Sequence, residues 1–312
     1  MKKNPLVLLL ALSGTFFLLF LAFVWLAMGS FVREGAKTAL LQRTGNQVGV
    51  LELKGVILES KKFLKNVERF EESSEIKGVI LRINSPGGAV APSEEMHAAV
   101  MRLKKSKPVI ASFESVAASG GYYVAVAADK IVTNAGTMTG SIGVIMDFAN
   151  MGELYKWAKV ERYNVKSGKY KDIGNDTRPM SADEKGIMQD MIMNVYGQFV
   201  RAVANGRKLP LDKVTEMADG RIYTGEQAVS LGLADKIGGI DVAIEEMKAA
   251  AKLTGKVNLV YPEQRKRSFL EMLGGPQPEG GLFKGLVRQV LTAVQEQITE
   301  VRALNGKLPM FL

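Results

Sequence analysis

Ser119 stands in the run Ala117-Ala118-Ser119-Gly120-Gly121-Tyr122-Tyr123, just after the apolar stretch Pro108–Phe113. A serine at a strand-to-helix turn exposes its hydroxyl as a nucleophile, and the helix dipole there favours developing negative charge. Small neighbours leave room for an incoming substrate backbone. The same position also suits a plain N-cap serine, and the local sequence does not separate the two roles. Upstream, Asn84-Ser85-Pro86-Gly87-Gly88 follows another apolar stretch, Gly78–Ile83. Glycines at such a junction let a ligand approach the backbone N–H groups closely. The turn is therefore either an oxyanion hole or an ordinary tight turn.

A serine hydroxyl needs a base. The chain has one histidine, His97, mid-helix among polar residues, where an exposed side chain is expected. It has no cysteine, which excludes thiolate nucleophiles, zinc ribbons and disulfide frameworks. With one histidine a His-rich metal site cannot be built, and neither metal nor cofactor is expected. A lysine can act as base when neutral. Its ordinary pKa is about 10.4, and lowering it by about 3 means disfavouring the charged form by roughly 4 kcal/mol. A closed apolar site can do this. Lys166, Lys169 and Lys171 crowd the segment around Ser167-Gly168-Lys169-Tyr170-Lys171-Asp172. Spacing does not choose among them, and a solvated charge run is the bland alternative.

These residues need elements to hold them. Residues 47–58 alternate and are β-branched, which predicts a strand. Residues 78–83 and 108–113 read as strands buried on both faces, and 130–133 and 141–146 as further strands. Residues 62–72, 92–103, 119–128, 225–232 and 241–251 read as helices, and 181–205 as a long one. Ser181 followed by Glu184 forms a capping box at its start. Strand and helix alternate at short intervals, which predicts an α/β domain with a largely parallel sheet and right-handed crossovers. The expected body spans residues 47–261.

Residues 4–32 carry no charge, and Leu6–Val32 is nearly all Leu, Phe, Ala and Val. A bilayer core needs about 20 apolar residues in a helix. Residues 6–32 are therefore expected to be a transmembrane signal anchor, with 1–5 as a short cytoplasmic flank and 33–46 as a linker. A cleaved signal peptide ending near Ala27-Met28-Gly29 is the alternative. Residues 262–281 read as a Gly/Pro linker. Residues 282–312 read as an amphipathic helix and an apolar tail, Leu308-Pro309-Met310-Phe311-Leu312, which a neighbouring copy could trim. The formal charge is +9, but the basic residues are dispersed. An anionic membrane surface suits them better than nucleic acid.

Taken together, INSPGG, ESVAASGGYYVAVAADKIVTNAGTMTGSIGV and VKSGKYKDIGN resemble the signal peptide peptidase A family of bacterial serine proteases, peptidase family S49, in its half-length form. The resemblance covers roughly residues 48–240. It implies a Clp protease/crotonase-like spiral domain. It implies Ser119 as nucleophile and Lys171 as general base, with Ser141 orienting the lysine and Gly87 and Gly120 at the oxyanion. It further implies a homo-oligomeric ring, with an octamer as candidate size, in which neighbours share the Ser–Lys dyad. The implied substrates are peptides with small or apolar residues at the cut, above all remnant signal peptides. The implied location is the extracytoplasmic side of the bacterial cytoplasmic membrane, on a single span. Two rivals remain at this stage. A crotonase-like acyl-CoA enzyme would want a carboxylate base and a CoA site. A non-catalytic membrane-anchored scaffold would not need Ser119.

Overall fold

The computed structural model describes residues 46–262, with Phe23 the one residue described before them. These residues belong to the compact unit Met1–Pro262. Apart from Phe23 and Asn46, the expected membrane anchor and the 33–46 linker lie outside the described residues, as do the 262–281 linker beyond Pro262 and the C-terminal helix. Among those described, no helix is long and apolar enough to cross a membrane.

Eight strands form one sheet: β1 (Asn46–Lys54), β2 (Ile76–Ser85), β3 (Val109–Ala118), β4 (Lys130–Thr133), β5 (Met138–Gly140), β6 (Ile222–Thr224), β7 (Lys236–Ile237) and β8 (Val257–Val260). The main path runs β6-β5-β3-β2-β1-β8, with β4 beside β3 and β7 beside β4. Every pairing is parallel except β5 with β6. The expectation of an α/β body with a largely parallel sheet holds.

Both faces of the sheet are covered, which is why the central strands are apolar without a break. Val79, Leu81 and Ile83 join the larger core with Phe63, Val67 and Phe70 of α1 (Lys61–Glu72) and with Met96 and Val100 of α2 (Val90–Leu103). Ile80 and Ile110 face the other way, onto Ala243 and Met247 of α8 (Ile240–Ala251). Burying each such side chain contributes about 1.5–3 kcal/mol. The remaining helices are α3 (Gly120–Ala125), α4 (Gly152–Trp157), α5 (Ala182–Arg207), α6 (Leu211–Met217) and α7 (Gly225–Ser230).

β3 changes partner along its length, and this positions the site. Ile110–Ser112 pair with Lys130–Val132 of β4, whereas Val116–Ala118 pair with Met138–Gly140 of β5. The strand thus runs past the sheet's middle and delivers Ser119 at its carboxyl end. The expected strand over 141–146 is absent: β5 stops at Gly140, because Gly140 (φ 79) and Ser141 (φ 49) take left-handed conformations that end extended pairing. Likewise β1 ends at Lys54, before a turn at Gly55.

The long helix forms where the capping box predicts. Ser181 Oγ accepts from Glu184 N, and the Glu184 carboxylate accepts from Ser181 N. Apart from Glu184, the buried residues of α5 all lie in its last third. Residues 144–180 link β5 to α5 and stay largely exposed, including Ile145, Trp157 and Val165.

Candidate active site

Ser119 is the N-cap of α3, with φ 51 and ψ −124. An L-residue held there is strained by about 1–3 kcal/mol. The surroundings enforce the conformation. Ser119 N donates to Gly140 O (2.9 Å), and Tyr123 N donates to Ser119 O (2.8 Å). A Cβ on Gly121 would stand 2.8 Å from Ser85 O, so α3 must seat directly on the end of β2. Behind it Tyr122 is wholly buried, its hydroxyl donating to Leu233 O (2.7 Å). The role of a plain N-cap is not filled here, since the Ser119 side chain accepts no helix N–H.

The Gly87–Gly88 turn is pinned against Ile57, which donates to Gly87 O (2.8 Å) and accepts from Ala89 N (2.7 Å). Gly87 has φ 98, and a Cβ there would come within 2.5 Å of Gly120 N and 2.8 Å of Ser119 Cβ. Only glycine lets this turn approach Ser119 so closely. Its own N–H donates to Ser85 Oγ (3.1 Å), and that hydroxyl donates to Gly55 O (2.6 Å). Among the described residues the N–H groups of Gly88 and Gly120 have no acceptor. A Cβ on Gly120 would stand 3.3 Å from Gly88 N, so the two glycines face each other. The second glycine of the pair thus joins Gly120 as a candidate oxyanion donor, whereas the Gly87 N–H, the expected donor, is already given to Ser85 Oγ. The doubled glycine in the sequence was the signal for it.

Ser119 lines a small cavity of about 110 Å³ with Val90, Tyr123, Val144 and Phe199 among its walls. It also lines an adjoining opening that contains Ser141, Tyr196 and Asp219. Ser141 N donates to Arg221 O (2.8 Å). The structure therefore brings together Ser119, Ser141 and the glycines.

Lys171 is placed elsewhere. It is exposed and lines a different pocket with Arg162, Asp172 and Asp176, of which Ser119 is not a wall. Its two rivals are committed: Lys166 Nζ donates to Asp172 (2.5 Å) and Lys169 Nζ to Asp183 (2.7 Å). The Asp183 bond, with Tyr170 beside it, holds the Lys169 ammonium above the ordinary lysine range. Lys171 has no carboxylate partner among the described residues. His97 proves half-buried rather than exposed. Its ring lies 4.9 Å from that of Tyr123, and burial with Lys104 nearby lowers its pKa to about 4. It lines neither pocket of Ser119.

Residues 101–254 match Peptidase family S49. A candidate protease of Synechocystis sp. is 40% identical over 238 residues, covering 74% of this chain and 84% of the relative. A candidate signal peptide peptidase SppA of Enterococcus faecium is 39% identical over 237 residues, 76% of this chain and 69% of the relative. A chloroplastic serine protease SPPA of Arabidopsis thaliana is 36% identical over 230 residues, 73% of this chain and 34% of the relative. The chain belongs to the SppA-type peptidases of family S49. It is a protease, and its mixed α/β body with a mostly parallel sheet is the framework that carries the site.

Proposed function

We propose that this protein is a membrane-anchored serine endopeptidase in which Ser119 of one subunit is activated by Lys171 of a neighbour. The observation that carries the reading is the strained Ser119 turn facing the Gly87–Gly88 backbone across a small apolar cavity. Neutral Lys171 takes the Ser119 proton as Oγ attacks the peptide carbonyl. The carbonyl oxygen becomes an oxyanion held by N–H groups of Gly88 and Gly120, with Gly87 shaping the turn. The lysine ammonium then protonates the leaving amine, and water releases the acyl group. Ser141, in the opening beside Ser119, is suited to orient the incoming amine.

Two observations support sharing between subunits. Lys171 and Ser119 line different pockets of one chain. The segment that bears Lys171 also carries a run of exposed large apolar residues, with Trp157 81% and Val165 95% exposed. Exposed apolar surface of this extent marks an association site, and a closed ring of identical chains would cover it. The tight cavity beside Ser119 suits small or apolar side chains, as in remnant signal peptides. The apolar 6–32 segment provides the single-span anchor in the cytoplasmic membrane, with the body on the extracytoplasmic side.

The test is subunit mixing. Ser119→Ala and Lys171→Ala chains, each inactive alone against a fluorogenic apolar peptide, should regain activity when co-expressed. Persistent inactivity in verified mixed assemblies overturns the shared dyad. Peptidase activity retained in Ser119→Ala alone removes Ser119 as the nucleophile.

A further inference from the structure

Residues 145–171 present few buried side chains, so apolar packing within the chain does not fix the place of Lys171. Polar ties take that role. Asp172, next in sequence to Lys171, keeps its side chain only 12% exposed and receives two cations at one oxygen: Lys166 Nζ at 2.5 Å and Arg178 Nη2 at 3.1 Å. Arg178 turns its fork on Glu184, with contacts of 2.8 and 2.7 Å. Glu184 is itself buried, 3% exposed, and closes the capping box of α5. The chain of contacts therefore runs from the first turn of a 26-residue helix to the residue beside the general base.

We propose that Asp172, seated by Arg178 and through it by Glu184, is a positioning residue for Lys171. The inference rests on the Ser119–Lys171 reading above. A base that must cross a subunit boundary depends on the rigidity of its own loop, because misplacement by about 1 Å costs on the order of a hundredfold in rate. Isolated exposed ion pairs cannot supply that rigidity, each contributing roughly 0–1 kcal/mol. A forked Arg–carboxylate pair ending on a buried glutamate differs in kind, since its planar geometry defines direction as well as distance.

The experiment uses the full-length protein and a fluorogenic apolar peptide. Arg178→Ala and Asp172→Asn should each lower kcat by about ten- to a hundredfold with KM moved less than about threefold, since binding lies on the Ser119 side. The double variant should be no worse than the poorer single one, because both act in one network. Unchanged kcat, or a double variant whose loss is the product of the single losses, overturns the inference. Subunit mixing guards against simple misfolding. Arg178→Ala placed on the Ser119→Ala chain, which donates the lysine, should lower the recovered activity by the same factor, about ten- to a hundredfold. The same change on the Lys171→Ala chain should leave that recovery intact, and a defect that follows this chain instead overturns the proposal. If the unsubstituted mixture fails to recover at all, the shared dyad falls and takes the positioning role with it.

Discussion

Replacing Ser119 by glycine should stabilise the protein, although glycine normally weakens a fold. At φ 51 and ψ −124 any residue bearing a Cβ is strained by about 1–3 kcal/mol, and glycine is relieved of that strain. Against this, glycine loses about 0.4–1 kcal/mol more chain entropy than alanine on folding. The difference leaves Ser119→Gly more stable than Ser119→Ala by about 1 kcal/mol, or roughly 2–4 °C in Tm for a body of this size. At an unstrained position the order would reverse. Thermal unfolding of the two full-length variants in the same buffer, alongside the parent, gives the comparison directly. Both variants should lack peptidase activity, so stability and function separate at one atom. If Ser119→Ala equals or exceeds Ser119→Gly in Tm, the strain argued for the nucleophile turn is refuted.

Gly206 lies in α5, where glycine-to-alanine substitution would ordinarily stabilise by about 1 kcal/mol. Here a Cβ would stand 2.2 Å from Val126 O, so Gly206→Ala should instead destabilise by about 1–3 kcal/mol by overpacking, measured by denaturant titration. His97 should prove dispensable for catalysis: His97→Gln is expected to retain peptidase activity within about twofold with an unchanged pH profile, since the proposed Ser–Lys mechanism uses no Ser–His step. Its effect belongs to stability. Its pKa is lowered in the fold from 6.5 to about 4, so the unfolded chain takes up the proton first and stability declines as pH falls from 6.5 towards 4. That part of the slope should vanish in His97→Gln, as read by unfolding free energies across this window.

Much of the framework was legible because local chemistry dictates it. The apolar runs at 78–83 and 108–113 could only be strands covered on both faces, and Ser181 with Glu184 announced the start of α5. The junctions at Gly87–Gly88 and Ser119 could be placed at strand ends from the same patterns. The failures share a cause. The expected strand at 141–146 was apolar enough, yet backbone conformations at Gly140 and Ser141 stop it, and no propensity scale reads φ. His97 was taken as exposed because its sequence neighbours are polar, while its actual cover comes from Tyr123, which α3 brings alongside α2.

Sequence by itself determined which chemistry was open to this protein: no cysteine removes the thiolate, and a lone histidine leaves lysines as the more numerous candidate bases for a serine. It could not rank Lys166, Lys169 and Lys171, which are alike in type and crowded in one segment. Tertiary contacts pair the first with Asp172 and the second with Asp183. They also decided how the serine is presented, since strain at Ser119 exists only when β5, the Gly87 turn and the seat of α3 on β2 act together. Residue types set what reactions are possible. Only long-range packing sets where an atom is held, because its partners lie tens of residues away along the chain.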